Sequence, residues 1–207
     1  MKWEEINSGQ VRLQHGLGPY IQKYAADSRF TRYLEIGTWN GRGSTVCFAA
    51  GFQGRQDNPI LQSLEIHPTR VLEASMLWES TPSIRILHGR ILPDDKTPTF
   101  EIISRVHSNI HLDWHSEDLE YFRRSPYINI SKFNPEVVLL DGGEYITYFE
   151  YLEVKDIARV MILDDTAVAK CKRIVEELNA NPEWTCVAGT FTERNGWHVF
   201  ERVSPSS

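Results

Sequence analysis

The sequence predicts an α/β fold built on a mostly parallel sheet, and three observations point to it. Short apolar runs alternate with helix-forming segments along most of the 207 residues, the pattern that lays helices over both faces of a parallel sheet. Four of those runs end in carboxylates, at Glu35, Glu65, Asp141 and the pair Asp164-Asp165. The first run also passes directly into a glycine-punctuated turn, Gly37-Thr38-Trp39-Asn40-Gly41-Arg42-Gly43, ahead of a helix-compatible stretch that opens on Ser44-Thr45. Seven strands are expected, the last two forming an antiparallel hairpin at one edge, and the whole of 1–207 is expected to be one domain.

Taken in order, residues 8–26 space Val11, Leu13, Leu17, Ile21, Tyr24 and Ala25 at helical intervals, and Gly16, Gly18 and Pro19 interrupt them. An N-terminal segment, 1–30, with one broken helix or two short ones follows from that. The first strand spans 32–36, and the glycine turn and its helix run to about residue 50. A polar stretch leads to a second strand at 60–65, a helix carrying Val71, Leu72, Ala74, Met76 and Leu77, and a third strand at 83–89. Residues 93–134 resist a clean period; they are expected to form an irregular insertion with one helix near 117–124, suited to holding a substrate. Regularity returns with an apolar strand from Pro135 to Asp141, a helix over 145–155, and a buried strand from 158 that ends on Asp164-Asp165. A last helix over 168–180 stops at Asn181-Pro182, and strands at 184–189 and 196–203 fold back about Asn195-Gly196.

Composition narrows the function. A net charge of -6 argues against a broad phosphate-binding surface, so nucleic acid is not expected as a partner. No apolar run of membrane-spanning length occurs, and Met1-Lys2-Trp3-Glu4-Glu5 does not open a signal peptide, so no membrane association is expected. Cys47, Cys171 and Cys186 are widely spaced and leave one over in any pairing, which suits reduced thiols in a cytoplasmic setting.

In a parallel α/β sheet, ligands bind beyond the carboxyl ends of the strands, so the four acidic ends should gather along one rim. The glycines allow a ligand close to the backbone, and the first turn of the following helix offers N–H groups. Glu65, 22 residues beyond Gly43, is placed to accept both hydroxyls of a cofactor ribose. That spacing serves NAD and S-adenosylmethionine (SAM) alike. Glu35 favours SAM, because a carboxylate beside a pyrophosphate is electrostatically unwelcome whereas a sulfonium and an ammonium welcome it.

Glu35-Ile36-Gly37-Thr38-Trp39-Asn40-Gly41 resembles the acidic-x-Gly-x-x-x-Gly first motif of class I SAM-dependent methyltransferases, and the resemblance extends over roughly 30–203. It implies a Rossmann-like fold, a SAM cofactor and, among the small-molecule members, transfer to an oxygen of a sugar or secondary metabolite. It also implies cofactor contacts at Glu35, Gly37, Thr38, Gly41, Ser44, Glu65 and Asp141, with His88-Gly89-Arg90-Ile91 enclosing the adenine. Asp141, Asp164 and Asp165 resemble the carboxylate trio that holds Mg²⁺ in metal-dependent O-methyltransferases, where the ion would bind two substrate oxygens and lower a hydroxyl's pKa. The other reading is that Asp141 orients the methionyl end of SAM and Asp165 caps a helix. Relatives often carry a further Asp as general base where Gly143 stands here, which leaves Asp141 and the neighbouring Glu144 as catalytic candidates, with His67, His88 and His115 as other possible bases. Trp39 and 93–134 are candidate contacts for a small-molecule acceptor.

Two other functions fit parts of the sequence. Gly37-x-x-x-Gly41-x-Gly43 and Tyr151-x-x-x-Lys155 match the spacing of short-chain dehydrogenases. Against that stand the acidic Glu35, the lack of a serine about a dozen residues before Tyr151, and the single strand-helix unit plus hairpin that follows it. A non-catalytic SAM-binding module is the second, suggested by Gly143.

Overall fold

The computed structural model describes residues 3–107, 110 and 112–203. A short helix α1 (Trp3–Ile6) and α2 (Gly18–Ala26) precede the sheet. The core alternates β1 (Arg32–Ile36), α3 (Ser44–Phe52), β2 (Ile60–Glu65), α4 (Pro68–Trp78) and β3 (Ile84–His88). After α5 (Phe100–Val106) and α6 (Leu112–Arg124) come β4 (Val137–Leu140), α7 (Thr147–Val154), β5 (Val160–Asp164), α8 (Lys172–Ala180), β6 (Trp184–Thr190) and β7 (Trp197–Arg202). The sheet order is β3-β2-β1-β4-β5-β7-β6; β1 to β5 are parallel, and β7 and β6 close the edge antiparallel. This is the expected Rossmann-like, seven-stranded, mostly parallel sheet with a C-terminal hairpin.

Both faces of the sheet are covered, which explains why its central strands are written as unbroken apolar runs. Successive side chains point to opposite faces. Tyr33, Leu61, Val137, Leu139, Val160 and Ile162 therefore enter one cluster with Ile21, Tyr24, Val46 and Phe48 of α2 and α3. Leu34, Leu64, Val138, Leu140, Met161 and Leu163 enter the other with Tyr151, Val154, Ile174 and Leu178 of α7 and α8.

Three expectations change in detail. The interrupted 8–26 pattern gives a helix only from Gly18, where Pro19 suits the first turn, and leaves 7–17 largely as a strap across the sheet end. Region 93–134 holds the helix expected near 117–124, but as part of a longer one, and a second helix besides. It contains α5 and α6, which enclose a third apolar cluster of Leu92, Ile103, Leu119, Phe122, Tyr145 and Ile146. The two helices are short or polar apart from a narrow buried stripe, which is why no period stood out. Helix α8 begins at Lys172 rather than 168, because the backbone N–H groups of Thr166 and Ala167 donate instead to Gly196 and Asn195 of the hairpin turn, at 3.1 and 2.6 Å. Among the described residues no helix is long and apolar enough to cross a membrane.

Candidate active site

The order of the parallel strands switches between β1 and β4, and a cavity of about 1050 Å³ opens there at their carboxyl ends. Its base is the turn after β1. Gly37 has φ +96°, and a Cβ there would lie 2.1 Å from the Asp141 carbonyl oxygen, so only glycine lets the ends of β1 and β4 approach this closely. The N–H groups of Gly37 and Thr38 donate to Leu64 O at 3.0 and 3.1 Å, and the Thr38 and Ser63 hydroxyls are 2.5 Å apart. Ser44, the first residue of α3, also lines the cavity; no side chain caps this helix end.

Glu65 stands at the tip of β2 with its carboxylate fixed by backbone. Trp39 N–H donates to Oε2 at 2.8 Å and His67 N–H to Oε1 at 2.9 Å. Burial raises its pKa, against the pull of those donors. Each oxygen keeps a lone pair for a ligand hydroxyl. Beyond it Trp39 is 58% exposed with the Arg70 guanidinium 3.5 Å from its ring centroid. The ring of Tyr121 on α6 faces His67 at 4.2 Å.

Glu35 does not line the cavity. Its register partner on β2 is Ser63, whose hydroxyl donates to Glu35 Oε2, as does Thr45 Oγ1 at 2.7 Å from the start of α3. The carboxyl lies wholly buried beneath the glycine turn, and Oε1 has no hydrogen-bond partner among the described residues. Burial pushes its pKa up to about 7, despite the hydroxyls of Ser44, Ser63 and Thr45.

On the other side of the switch point, the expected carboxylate trio is organised by two cations. The Lys170 ammonium donates to Asp141 Oδ1 at 2.8 Å and to Asp165 Oδ2 at 2.7 Å. Asp164 is almost fully buried and accepts from Arg194 Nη2 at 3.0 Å. β7 pairs beside β5 with Trp197 opposite Asp164, which brings the hairpin turn and Arg194 to this point. Burial opposes the charge on Lys170, but Asp141 and Asp165 outweigh it and hold the ammonium above its ordinary pKa. Burial also opposes the Asp165 carboxylate, and Lys170 draws it below its ordinary value. Asp141 is raised by burial, with Lys170 offsetting only part; Asp164 is pushed up to about 7 by burial and the nearby Asp141.

In this arrangement the expected metal ligands Asp141, Asp164 and Asp165 are each paired with a cationic side chain of the protein. Asp164 is turned away into its pair with Arg194, and an ammonium already lies between the other two. A divalent ion would have to displace that ammonium to reach both carboxylates. Among the described residues no group of three His, Cys, Asp or Glu side chains could hold a metal.

The strap of residues 8–12 forms the cavity's outer wall. It is fastened by the buried Asn7, whose Nδ2 donates to Val11 O at 3.0 Å, Arg42 O at 3.1 Å and Gly43 O at 3.3 Å, while Oδ1 accepts from Leu13 N–H at 2.8 Å. A Cβ on Gly9 would lie 2.5 Å from Gly43 Cα, so strap and glycine turn touch backbone to backbone. Gln10 joins the strap to the hairpin by accepting from Arg194 at 2.9 Å.

Of the residues expected at the site, Gly37, Thr38, Ser44, Glu65, Gly89, Asp141, Glu144, Asp165 and His67 line the cavity. Gly41, Arg90, Ile91 and Asp164 stand behind it. The Gly41 carbonyl accepts from Trp78 Nε1 at 3.0 Å. The Arg90 guanidinium is turned inward to Ser125 O at 3.1 Å, and to Leu92 O and Asp94, and Ile91 is in the core. His88 bonds Ile66 O at 3.1 Å through Nε2, and the side chain of His115 lies outside the described residues. Tyr151 and Lys155 do not line the cavity; Tyr151, on α7, is packed in the core. The strap, Arg70, Tyr121, Lys170 and Arg194 carried no motif.

No family model matches this sequence, and no curated protein matches it. Solved structures share the fold. The S-adenosylhomocysteine (SAH)-bound methyltransferase PaMTH1 of Podospora anserina aligns at TM-score 0.57 with 13% identity, over 98% of this chain and 86% of that one. The SAH complex of an O-methyltransferase from Bacillus cereus aligns at 0.56 with 15% identity, over 97% and 90%. The SAM complex of the O-methyltransferase TomG of Streptomyces achromogenes aligns at 0.58 with 14% identity, over 98% and 88%.

Proposed function

We propose that this chain transfers a methyl group from SAM to an oxygen of a small molecule. The observation that carries the proposal is the glycine turn with the backbone-held carboxylate of Glu65 beside it, at the strand ends of a fold that SAM- and SAH-bound methyltransferases share. Glu65, Asp141, Glu144 and Asp165 all line a space formed on a nucleotide-type loop. Arg12, Arg70, Lys170 and Arg194 line the same space, so the carboxylates act through their positions rather than through net charge, where they can meet the sulfonium and ammonium of SAM. Glu65 accepts the ribose hydroxyls, the wall at Gly89 and Tyr121 receives the adenine, and Asp141 faces the methionyl end. Arg90 and Ile91 shape the Gly89 turn from behind, and Glu35 supports the loop from beneath. The cavity's size, at the upper end of about 300–1,000 Å³ for small-molecule sites, leaves room for an acceptor beside the cofactor.

In the transfer, a lone pair of the acceptor oxygen forms the new O–C bond and the C–S bond returns its pair to sulfur. Glu144 takes the hydroxyl proton. Most of the acceleration comes from holding oxygen, carbon and sulfur in line. Mg²⁺, which the sequence resemblance suggested, has no step here, given the Lys170 bridge. Trp39 and Arg70 contact the acceptor, a sugar or secondary metabolite; TomG, of similar fold, is involved in tomaymycin synthesis. The net charge of -6 disfavours nucleic acid as substrate, and the three free cysteines suit the cytoplasm.

Incubation with SAM and a panel of hydroxylated sugars and phenols, with SAH release as the readout, tests this. Acceptor-dependent SAH is the expected result. SAM binding with no SAH from any acceptor class would favour a non-catalytic module instead.

A further inference from the structure

We propose that Lys170 is the resident cation of this site: its ammonium takes the place between Asp141 and Asp165 that a divalent ion would fill, and methyl transfer here needs no metal. The inference rests on the methyltransferase reading above, but its geometry stands separately. The ammonium is within hydrogen-bond distance of one oxygen from each carboxylate, at 2.8 and 2.7 Å, and its side chain is only 11% exposed. It is held there by the chain itself. The turn from Asp165 to Cys171 is pinned to the hairpin by Thr166 N–H on Gly196 O and Ala167 N–H on Asn195 O. Asp165 at the head of the turn has φ +55°, a left-handed conformation that Asp tolerates better than most residues. The third carboxylate, Asp164, is removed from the set by Arg194.

A lysine ammonium has three donors, and two are committed to Asp141 and Asp165. The third is left for an oxygen of the acceptor, since Lys170 lines the cavity. As the hydroxyl gives its proton to Glu144 and its lone pair to the methyl carbon, this donor steadies the oxygen and keeps it on line with sulfur. One fixed N–H reaches one oxygen, whereas an ion would bridge two neighbouring oxygens. The site should therefore accept mono-hydroxyl acceptors and show no special preference for vicinal diols.

The test titrates Mn²⁺ alone into the full-length protein, followed by electron paramagnetic resonance, with SAM affinity measured calorimetrically on the same samples. Wild type should bind no Mn²⁺ at concentrations up to the millimolar range. Lys170→Ala, with Asp141 and Asp165 released, should bind it at least tenfold more tightly, and Lys170→Arg should resemble wild type. Wild-type activity should survive chelation unchanged, Lys170→Ala should lose at least tenfold in kcat, and Lys170→Arg should recover part of it. Stoichiometric Mn²⁺ binding by wild type that disappears in Asp141→Asn would overturn the proposal. So would a folded Lys170→Ala protein, checked by circular dichroism, that ignores Mn²⁺ as wild type does. Failure of SAM to bind would instead remove the methyltransferase reading and leave the Mn²⁺ comparison to be judged by itself.

Discussion

Glu65 is a carboxylate that cannot swing away from its ligand, because Trp39 N–H and His67 N–H hold one oxygen each. Its position was legible in the sequence from the apolar run it ends and its distance from the glycine turn. Replacing it with Ala removes two acceptors for the ribose hydroxyls and strands two backbone donors. A bond to a charged group contributes about 1.5–3 kcal/mol, so Glu65→Ala should weaken SAM binding at least tenfold in a calorimetric titration. Glu35, equally legible as an acid at a strand end, turned out to sit one layer deeper than its spacing could show. Its pKa, raised from 4.5 to about 7, means that the folded protein holds this proton more tightly than the unfolded chain. The stability it contributes is present below the unfolded value and lost as the pH rises through 7. Asp164, also raised to about 7, acts in the same direction. Glu35→Gln should therefore reduce the fall in unfolding free energy between pH 5 and 8 by on the order of 1–3 kcal/mol, measured by urea denaturation at each pH. An unchanged pH profile would show that burial does not govern this carboxyl. Lys170 was not legible at all: a lysine just before a helix is commonplace, and only the hairpin contact aims it inward.

At the scale of elements, the strap of residues 8–12 is the part that sequence reasoning placed least well. Its apolar spacing resembles a helix, but Gly16, Gly18 and Pro19 defer the helix to residue 18 and leave the preceding segment to pack across the glycine turn. Asn7 was invisible as a fastening because it acts through backbone carbonyls 35 and 36 residues away. Gly9→Ala would drive a methyl into the Gly43 backbone. Overpacking of this kind costs about 1–3 kcal/mol, so the melting temperature should fall by roughly 2–10 °C on the scale expected for a chain of this size. SAM affinity should fall with it, since the strap and the turn move together. A normal melting temperature and normal affinity would mean that the strap is detachable from the site. Helix α5 and the first half of α6 escaped the sequence reading, which placed a helix only near 117–124; the cluster they join centres on Ile103, Leu119 and Phe122.

For the molecule as a whole, the alternation of strands and helices made the fold readable. β4 and β5 are buried on both faces, so Val137–Leu140 and Val160–Leu163 could only be central strands. Leu139, fully buried between α3 and the sheet, should lose about 2–5 kcal/mol of stability as Ala, read from chemical denaturation. The site was less readable than the fold. The parallel topology brings the carboxyl ends of β1, β2, β4 and β5 to one rim, which the acidic strand ends announced, but whether those acids meet a metal or an ammonium depends on a turn and a hairpin distant in sequence.

That the rim is built for a cationic cofactor is the central claim, and paired calorimetric titrations with SAM and NAD⁺ test it most directly. SAM should bind with micromolar affinity at one site per chain, and NAD⁺ should give no heat of binding. NAD⁺ binding with no response to SAM would contradict it.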